Sequence, residues 1–153
     1  INCLLNNKHF YIYGDGNQKR AFTYIDDFNP YFVACGFAPH AAGEIINLGP
    51  TEEYTINQVS DIVLKIFYSD GPIPPTVRPK YLPDRPLEVR DAFCTNQKAK
   101  RLLGYKTTVL LEDGIRRMVD WAKRLGPQPF HYLKEGLELD NSSAPEIWTK
   151  NIL

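Results

Sequence analysis

The chain reads as a mixed α/β fold, with one small mixed sheet and three to four helices. Two apolar runs, Phe10-Tyr11-Ile12-Tyr13 and Gly43 to Gly49, carry the aromatic and β-branched residues of short strands. Two longer stretches repeat at helical spacing instead: Ile56, Val59, Ile62, Val63, Ile66 and Phe67, then Ile115, Met118, Val119 and Ala122. With 153 residues, 43% of them hydrophobic, there is material for one domain with a buried core.

Each element has a local cause. Ile1, Leu4 and Leu5 read as the end of an amphipathic helix already under way. A helix that short does not stand alone in water, so the chain is expected to be the C-terminal portion of a longer protein. After the strand at 10–13, Asp15-Gly16 predicts a hairpin turn, because both residue types tolerate positive φ. Ala21 to Tyr24 is the expected return strand. Asp26 or Asp27 is expected to cap a helix running through Gly36, with Pro30 tolerated in its first turn.

Thr55 and Gln58, three residues apart, form a capping box at the head of the next helix. Prolines 72, 74, 75, 79 and 83 predict a stiff, extended crossing. Thr95 is the expected cap of a helix that closes at Gly104, and a last helix runs from about Glu112 to Leu125, stopped by Gly126-Pro127. Residues 1–127 then form the domain. Residues 128–153 form a tail whose Phe130, Tyr132, Leu137, Leu139, Ile147 and Trp148 are the expected anchors, as Trp121 is within the body.

Composition narrows the function classes. Eighteen basic and eighteen acidic residues leave no net charge, which removes the electrostatic basis for a nucleic-acid or anionic-membrane partner. The basic residues on the later helices read as solvated faces. No apolar run approaches the ~18 residues of a membrane span. Cys3, Cys35 and Cys94 are odd in number and far apart, and with His9, His40 and His131 they make no metal spacing. They read as buried or half-buried thiols of a reducing cytoplasm.

Two basic motifs carry the chemistry. Gly14-Asp15-Gly16-Asn17-Gln18-Lys19-Arg20 offers one arginine, and Asp84-Arg85-Pro86-Leu87-Glu88-Val89-Arg90 offers another beside a carboxylate. A guanidinium presents a rigid fork of donors that matches phosphate oxygens. A glutamate accepts from a vicinal ribose diol. Arg20, Arg85 and Glu88 therefore suit a diphosphate joined to a ribose. The residues alone also leave open a surface pair between Arg20 and Asp15, a loop-ordering role for Arg85, a solvated Glu88 and plain strand roles for Tyr11 and Tyr13.

The ordered series Tyr11-Ile12-Tyr13-Gly14-Asp15-Gly16 to Asp26-Asp27, Ile46-Asn47-Leu48-Gly49, Asp84-Arg85-Pro86, Lys98 to Tyr105 and Leu111-Glu112-Asp113-Gly114-Ile115 resembles a known family. It is similar to the substrate-binding part of NAD-dependent nucleotide-sugar epimerases, dehydratases and decarboxylases, the extended short-chain dehydrogenases/reductases. The resemblance covers residues 1 to about 125. It implies that Tyr11 and Tyr13 sit where strand backbone meets a uracil or thymine base. It implies that Arg20 and Arg85 grip the diphosphate from opposite sides and that Glu88 meets the ribose. Leu87 and Glu88 stand where the family often has Gly and Asp, and Ala21 where an aspartate often follows the arginine.

The resemblance further implies a nucleotide-sugar partner, usually a UDP-sugar, and a homodimeric intact enzyme that oxidises and re-reduces the sugar C4. It also implies NAD held by an N-terminal Rossmann domain that this chain lacks. Gly14-x-Gly16 is not the dinucleotide fingerprint, since no third glycine and no helix follow in register. No tyrosine here has a lysine four residues later, so no catalytic residue is assigned. The expected activity is that of a UDP-sugar 4-epimerase, the chain alone being non-catalytic. A UDP-glucuronate decarboxylase (from Gly49 to Ile56), a dTDP-glucose 4,6-dehydratase and a non-catalytic nucleotide-sugar binding module are the alternatives.

Overall fold

The computed structural model describes residues 1–130 and has the expected mixed α/β character. Among the described residues there are five α-helices: α1 (Asn2–Leu5), α2 (Ile25–Cys35), α3 (Ile56–Phe67), α4 (Gln97–Leu103) and α5 (Leu111–Leu125). Five short strands, β1 (Tyr11–Tyr13), β2 (Lys19–Arg20), β3 (Tyr54–Thr55), β4 (Lys80–Leu82) and β5 (Asp91–Ala92), divide between two sheets rather than one. In the first, β1 runs parallel to β4, with Ile12 opposite Tyr81. In the second, β2 lies between antiparallel β3 and parallel β5.

The expected hairpin does not form, because β1 and β2 belong to different sheets. Gly14 and Gly16 do turn the chain, at φ +68° and +72°. Their backbone groups are taken by other segments, however: Gly14 N–H donates to the Leu82 carbonyl, and the Gly16 carbonyl accepts from Asn57 N–H. With those groups spent, the turn hands the chain from one sheet to the next. Residues 21–24 are accordingly extended coil, and the strand sits two residues earlier. Residues 44–48 likewise have no ladder partner among the described residues, and Ile45 is exposed.

Helix α3 starts as its sequence demands. Thr55 Oγ1 accepts from Gln58 N–H, and Gln58 Oε1 accepts from Thr55 N–H. Its Leu64 joins Leu4 and Val77 in a buried cluster flanked by Phe10, Val63, Phe67, Tyr68 and Ile73. Each fully buried leucine of this kind is worth about 1.5–3 kcal/mol. Helix α5 packs on α3 and buries Ile115 and Val119, while Met118 and Trp121 of the same helix stay exposed. Trp121 is therefore no internal anchor. Gly114 is needed where α5 meets Tyr24, since a Cβ there would lie 3.0 Å from the ring.

The proline crossing is mostly extended, with a 3-10 turn at Pro75–Val77 ahead of β4. Gly104, at φ +66°, ends α4 as expected. Thr95 Oγ1 accepts one long hydrogen bond from Gln97 N–H, but the cap residue itself is Asn96. Gln128 is tied to α1 through reciprocal hydrogen bonds with Asn2, and Lys8 lies over the Phe130 ring. Tyr132, Leu137, Leu139, Ile147 and Trp148 fall outside the described residues, as does most of the expected tail.

Neither Asp26 nor Asp27 caps α2, whose N-cap is Tyr24 without a side-chain bond. Asp26 reaches Arg117 at the surface. Asp27 is buried and accepts three hydrogen bonds, from Thr108 N–H, Thr108 Oγ1 and Val109 N–H, tying α2 to the loop before α5. Burial alone would raise this carboxyl's pKa; the bonds from Thr108 and Val109 outweigh it and hold the group below the usual carboxylate range. Its stabilising contribution is therefore complete above the unfolded value near ~4 and is lost as pH falls through the lower folded value. Asp27→Asn is expected to cost about 1–3 kcal/mol at neutral pH. In thermal melts, the gap between variant and wild type should narrow below about pH 4.

Candidate functional site

The pairing of β2 with β5 creates the site. Lys19 N–H donates to the Arg90 carbonyl at 2.7 Å, and Arg20 stands opposite Ala92 in a parallel register. That register brings the first basic motif alongside the second, across about seventy positions of sequence. Lys19 then secures β2 from the other side by an ion pair with Glu53 at 2.5 Å. The Arg20 guanidinium is aimed by its own strand, donating to the Lys19 carbonyl at 2.7 Å and the Arg90 carbonyl at 3.3 Å.

The second arginine comes from a tight turn. Glu88 N–H donates to the Arg85 carbonyl, closing a turn with Pro86 and Leu87 at its centre. Proline before a residue of positive φ is type II turn geometry, which ordinarily calls for glycine at the second centre. Here it is Leu87, at φ +61°. The turn folds Arg85 back on Glu88, and the two side chains pair. Arg20 Nη2 donates to the other carboxylate oxygen, Oε1, at 2.5 Å. One carboxylate thus bridges two guanidinium groups that arrive from separate elements.

A groove of about 370 Å³ opens beside this bridge, lined by Tyr13, Asp15, Gln18, Asp84, Arg85, Leu87, Glu88 and Arg90. The Arg85 guanidinium lies 5.2 Å from the centroid of the Tyr13 ring, a cation–π contact. Gln18 Nε2 donates to the Tyr13 carbonyl and fixes the mouth of the groove. Arg90 reaches Asp15 at 3.7 Å. The Asp15 carboxyl is held below its usual range first by hydrogen bonds from Asn17 and, more weakly, by Arg90.

Of the residues singled out from sequence, Tyr13, Arg85 and Glu88 share the groove. Arg20 is not in the lining and meets it through Glu88 and the Arg90 carbonyl; its ion-pair partner is Glu88 rather than the nearby Asp15. Tyr11 lies outside the lining, with its hydroxyl 3.0 Å from His9 Nε2. Asp15, Asp84 and Leu87 of the lining were not assigned as site residues from sequence, nor were three others. Gln18 and Arg90 were visible within the quoted motifs but had no partner to give them meaning. Asn57 was seen only as a residue within the capping box of α3. Its Nδ2 donates to the Asp15 carbonyl and its Oδ1 accepts from Tyr81 hydroxyl, so it braces the 14–17 turn against α3 and β4.

Among the described residues no His, Cys, Asp and Glu cluster could hold a metal ion, and the three cysteines are unpaired. The turn at Gly14–Gly16 does not have the form of a dinucleotide-binding turn. The chain after Gly16 enters a strand rather than a helix, and the space a phosphate would need above Gly16 is filled by Asn57, whose Oδ1 lies 2.0 Å from a Cβ built there. No described helix is long and apolar enough to cross a membrane.

Residues 1–118 match the family model described as GDP-mannose 4,6 dehydratase. The chain is 33% identical over 124 residues to the UDP-glucuronate 4-epimerase of Thermodesulfobacterium geofontis, covering 80% of this chain and 36% of that protein. Among solved structures, it is similar to UDP-glucuronic acid 4-epimerase from Bacillus cereus in complex with UDP-glucuronic acid and NAD. That likeness has a TM-score of 0.71 and 34% identity, over 81% of this chain and 38% of that one. The UDP-glucose 4-epimerase of Thermotoga maritima, solved with UDP-glucose, gives a TM-score of 0.70 at 27% identity, over 81% and 38% of the two chains. The chain therefore spans little more than a third of the length of the relatives it matches.

Two substitutions test this local geometry through thermal stability. Leu87 is almost wholly exposed, so glycine sacrifices little packing there. Removing the left-handed penalty should then raise stability by up to about 1 kcal/mol. Gly16→Ala should lower it by more than that, because positive φ and the Asn57 side chain both oppose a methyl group.

Proposed function

This chain belongs to the NAD-dependent epimerase/dehydratase family of extended short-chain dehydrogenases/reductases, and from that premise we propose that it is the nucleotide-sugar-binding portion of a UDP-sugar 4-epimerase. One observation carries the reading: Arg20 and Arg85, delivered by a strand and a turn distant in sequence, converge on a single anion at the edge of a groove. Two forks of donors around one seat suit the paired phosphates of a nucleoside diphosphate better than a single carboxylate. Tyr13 supplies an aromatic wall beside Arg85, where a base or sugar face would lie.

Binding is this portion's role. NAD is the cofactor of the family's solved neighbours. It supplies the redox chemistry at the sugar when bound, and its seat belongs to a Rossmann domain preceding this portion in the longer protein. An apolar groove of about 820 Å³, lined by Ile1, Tyr24, Met118, Trp121 and Leu125 among others, is the surface we assign to that domain. Ile1 itself lines the groove, so a preceding segment would emerge within it. The lengths of the relatives leave room for such a domain.

Calorimetric titration with UDP tests the assignment. Arg20→Ala and Arg85→Ala are each expected to weaken binding by about 1.5–3 kcal/mol, or roughly ten- to more than a hundredfold. Unchanged affinity in both variants contradicts it. Binding of UDP without any turnover of UDP-glucuronate or UDP-glucose, even with NAD added, is the expected behaviour of the isolated chain.

A further inference from the structure

We propose that Glu88 is an internal counter-anion, seated between Arg20 and Arg85 where a diphosphate belongs, and that the ligand enters by displacing it. The seat is the one the nucleotide-sugar reading gives to the diphosphate, and the proposal rests on that reading. It departs from the ribose-binding role that resemblance alone gives to this position. It makes Glu88 the residue that sets the groove's affinity for anions.

Three features of the site lead there. Both carboxylate oxygens are engaged, one by each guanidinium, so Glu88 occupies the donors instead of facing an open groove. Glu88 also stands between Arg20 and the groove: it shares the lining with Arg85, whereas Arg20 is not part of that lining. Its side chain is 19% exposed against 26% for Arg20 and 43% for Arg85, the order expected when an anion sits inside a clamp.

Within the bridge itself the charge count favours exchange. Two guanidinium groups and one carboxylate leave one positive charge unmatched within the bridge. A diphosphate brings more negative charge and more acceptor oxygens than a carboxylate, so it complements both forks more fully. Asp15 and Asp84 also line the groove, each a further negative charge that an incoming anion must meet, and Arg90 is already drawn toward Asp15. Release of Glu88 is mechanically simple. It is carried on the exposed turn of Pro86 and Leu87, so its movement uncovers no member of the core.

Calorimetry of the 153-residue chain with two probes, inorganic pyrophosphate and UDP, decides the matter in wild type, Glu88→Gln and Glu88→Ala. Melting curves establish that each variant is folded, and the alanine variant serves if the glutamine variant is not. Loss of the internal anion should tighten pyrophosphate about tenfold, equivalent to ~1.4 kcal/mol, and should tighten UDP as well. Pyrophosphate affinity that is unchanged or weaker in a folded variant overturns the proposal. So does UDP affinity that falls while pyrophosphate is unaffected, which is the signature of a ribose contact. In both cases wild-type UDP binding that depends on Arg20 and Arg85 leaves the nucleotide-sugar reading standing. If no form binds either probe, that reading falls too.

Discussion

A single carboxylate held between two guanidinium groups organises this part of the molecule. Arg20 and Arg85 carry like charges and would repel one another without an anion between them. Glu88 supplies it from within the chain. Arg20 and Glu88 are half-buried while Arg85 is exposed, so removing Glu88 leaves a partly desolvated charge uncompensated at Arg20, which costs more than losing an exposed pair. The strand pairing that brings β2 beside β5, the turn at Pro86 and Leu87, and the seat of Arg85 over Tyr13 all meet at this point. The groove is the space left beside it.

Strain and brace divide the remaining work. Leu87 holds a backbone conformation that suits glycine, and in return the turn brings Arg85 and Glu88 within reach of each other. On the opposite side, Asn57 at the head of α3 holds the 14–17 turn by both its backbone and its side chain. The capping box at Thr55 fixes where α3 begins, and so fixes Asn57. A local helix-start signal thereby becomes a positional constraint on the groove.

Elements written in local chemistry were legible in the sequence. The capping box, the extent of α5 and the glycine that ends α4 follow from short-range rules and are all present, whereas the stripe expected on α3 is only half-buried and the buried residues of that helix are Ser60 and Leu64. The hairpin was not legible, because Asp15-Gly16 specifies a turn but not which strands pair across it. Leu82 and Asn57, distant in sequence, took the hydrogen bonds a hairpin would have used. The two aspartates misled for a related reason: a carboxylate near a helix start suggests a cap, yet Asp27 turned inward to Thr108 and Val109. In the groove, the residue types of Arg20, Arg85 and Glu88 advertised anion chemistry. That they would bind each other could not be read without the register of β2 on β5.

The most direct measurement is a crystal structure of this chain with UDP bound. The account predicts phosphate oxygens within hydrogen-bonding distance of both Arg20 and Arg85, with the Glu88 carboxylate swung out of the space between them. UDP bound elsewhere on the surface, or bound while the Arg20–Glu88–Arg85 bridge stays closed, would contradict it.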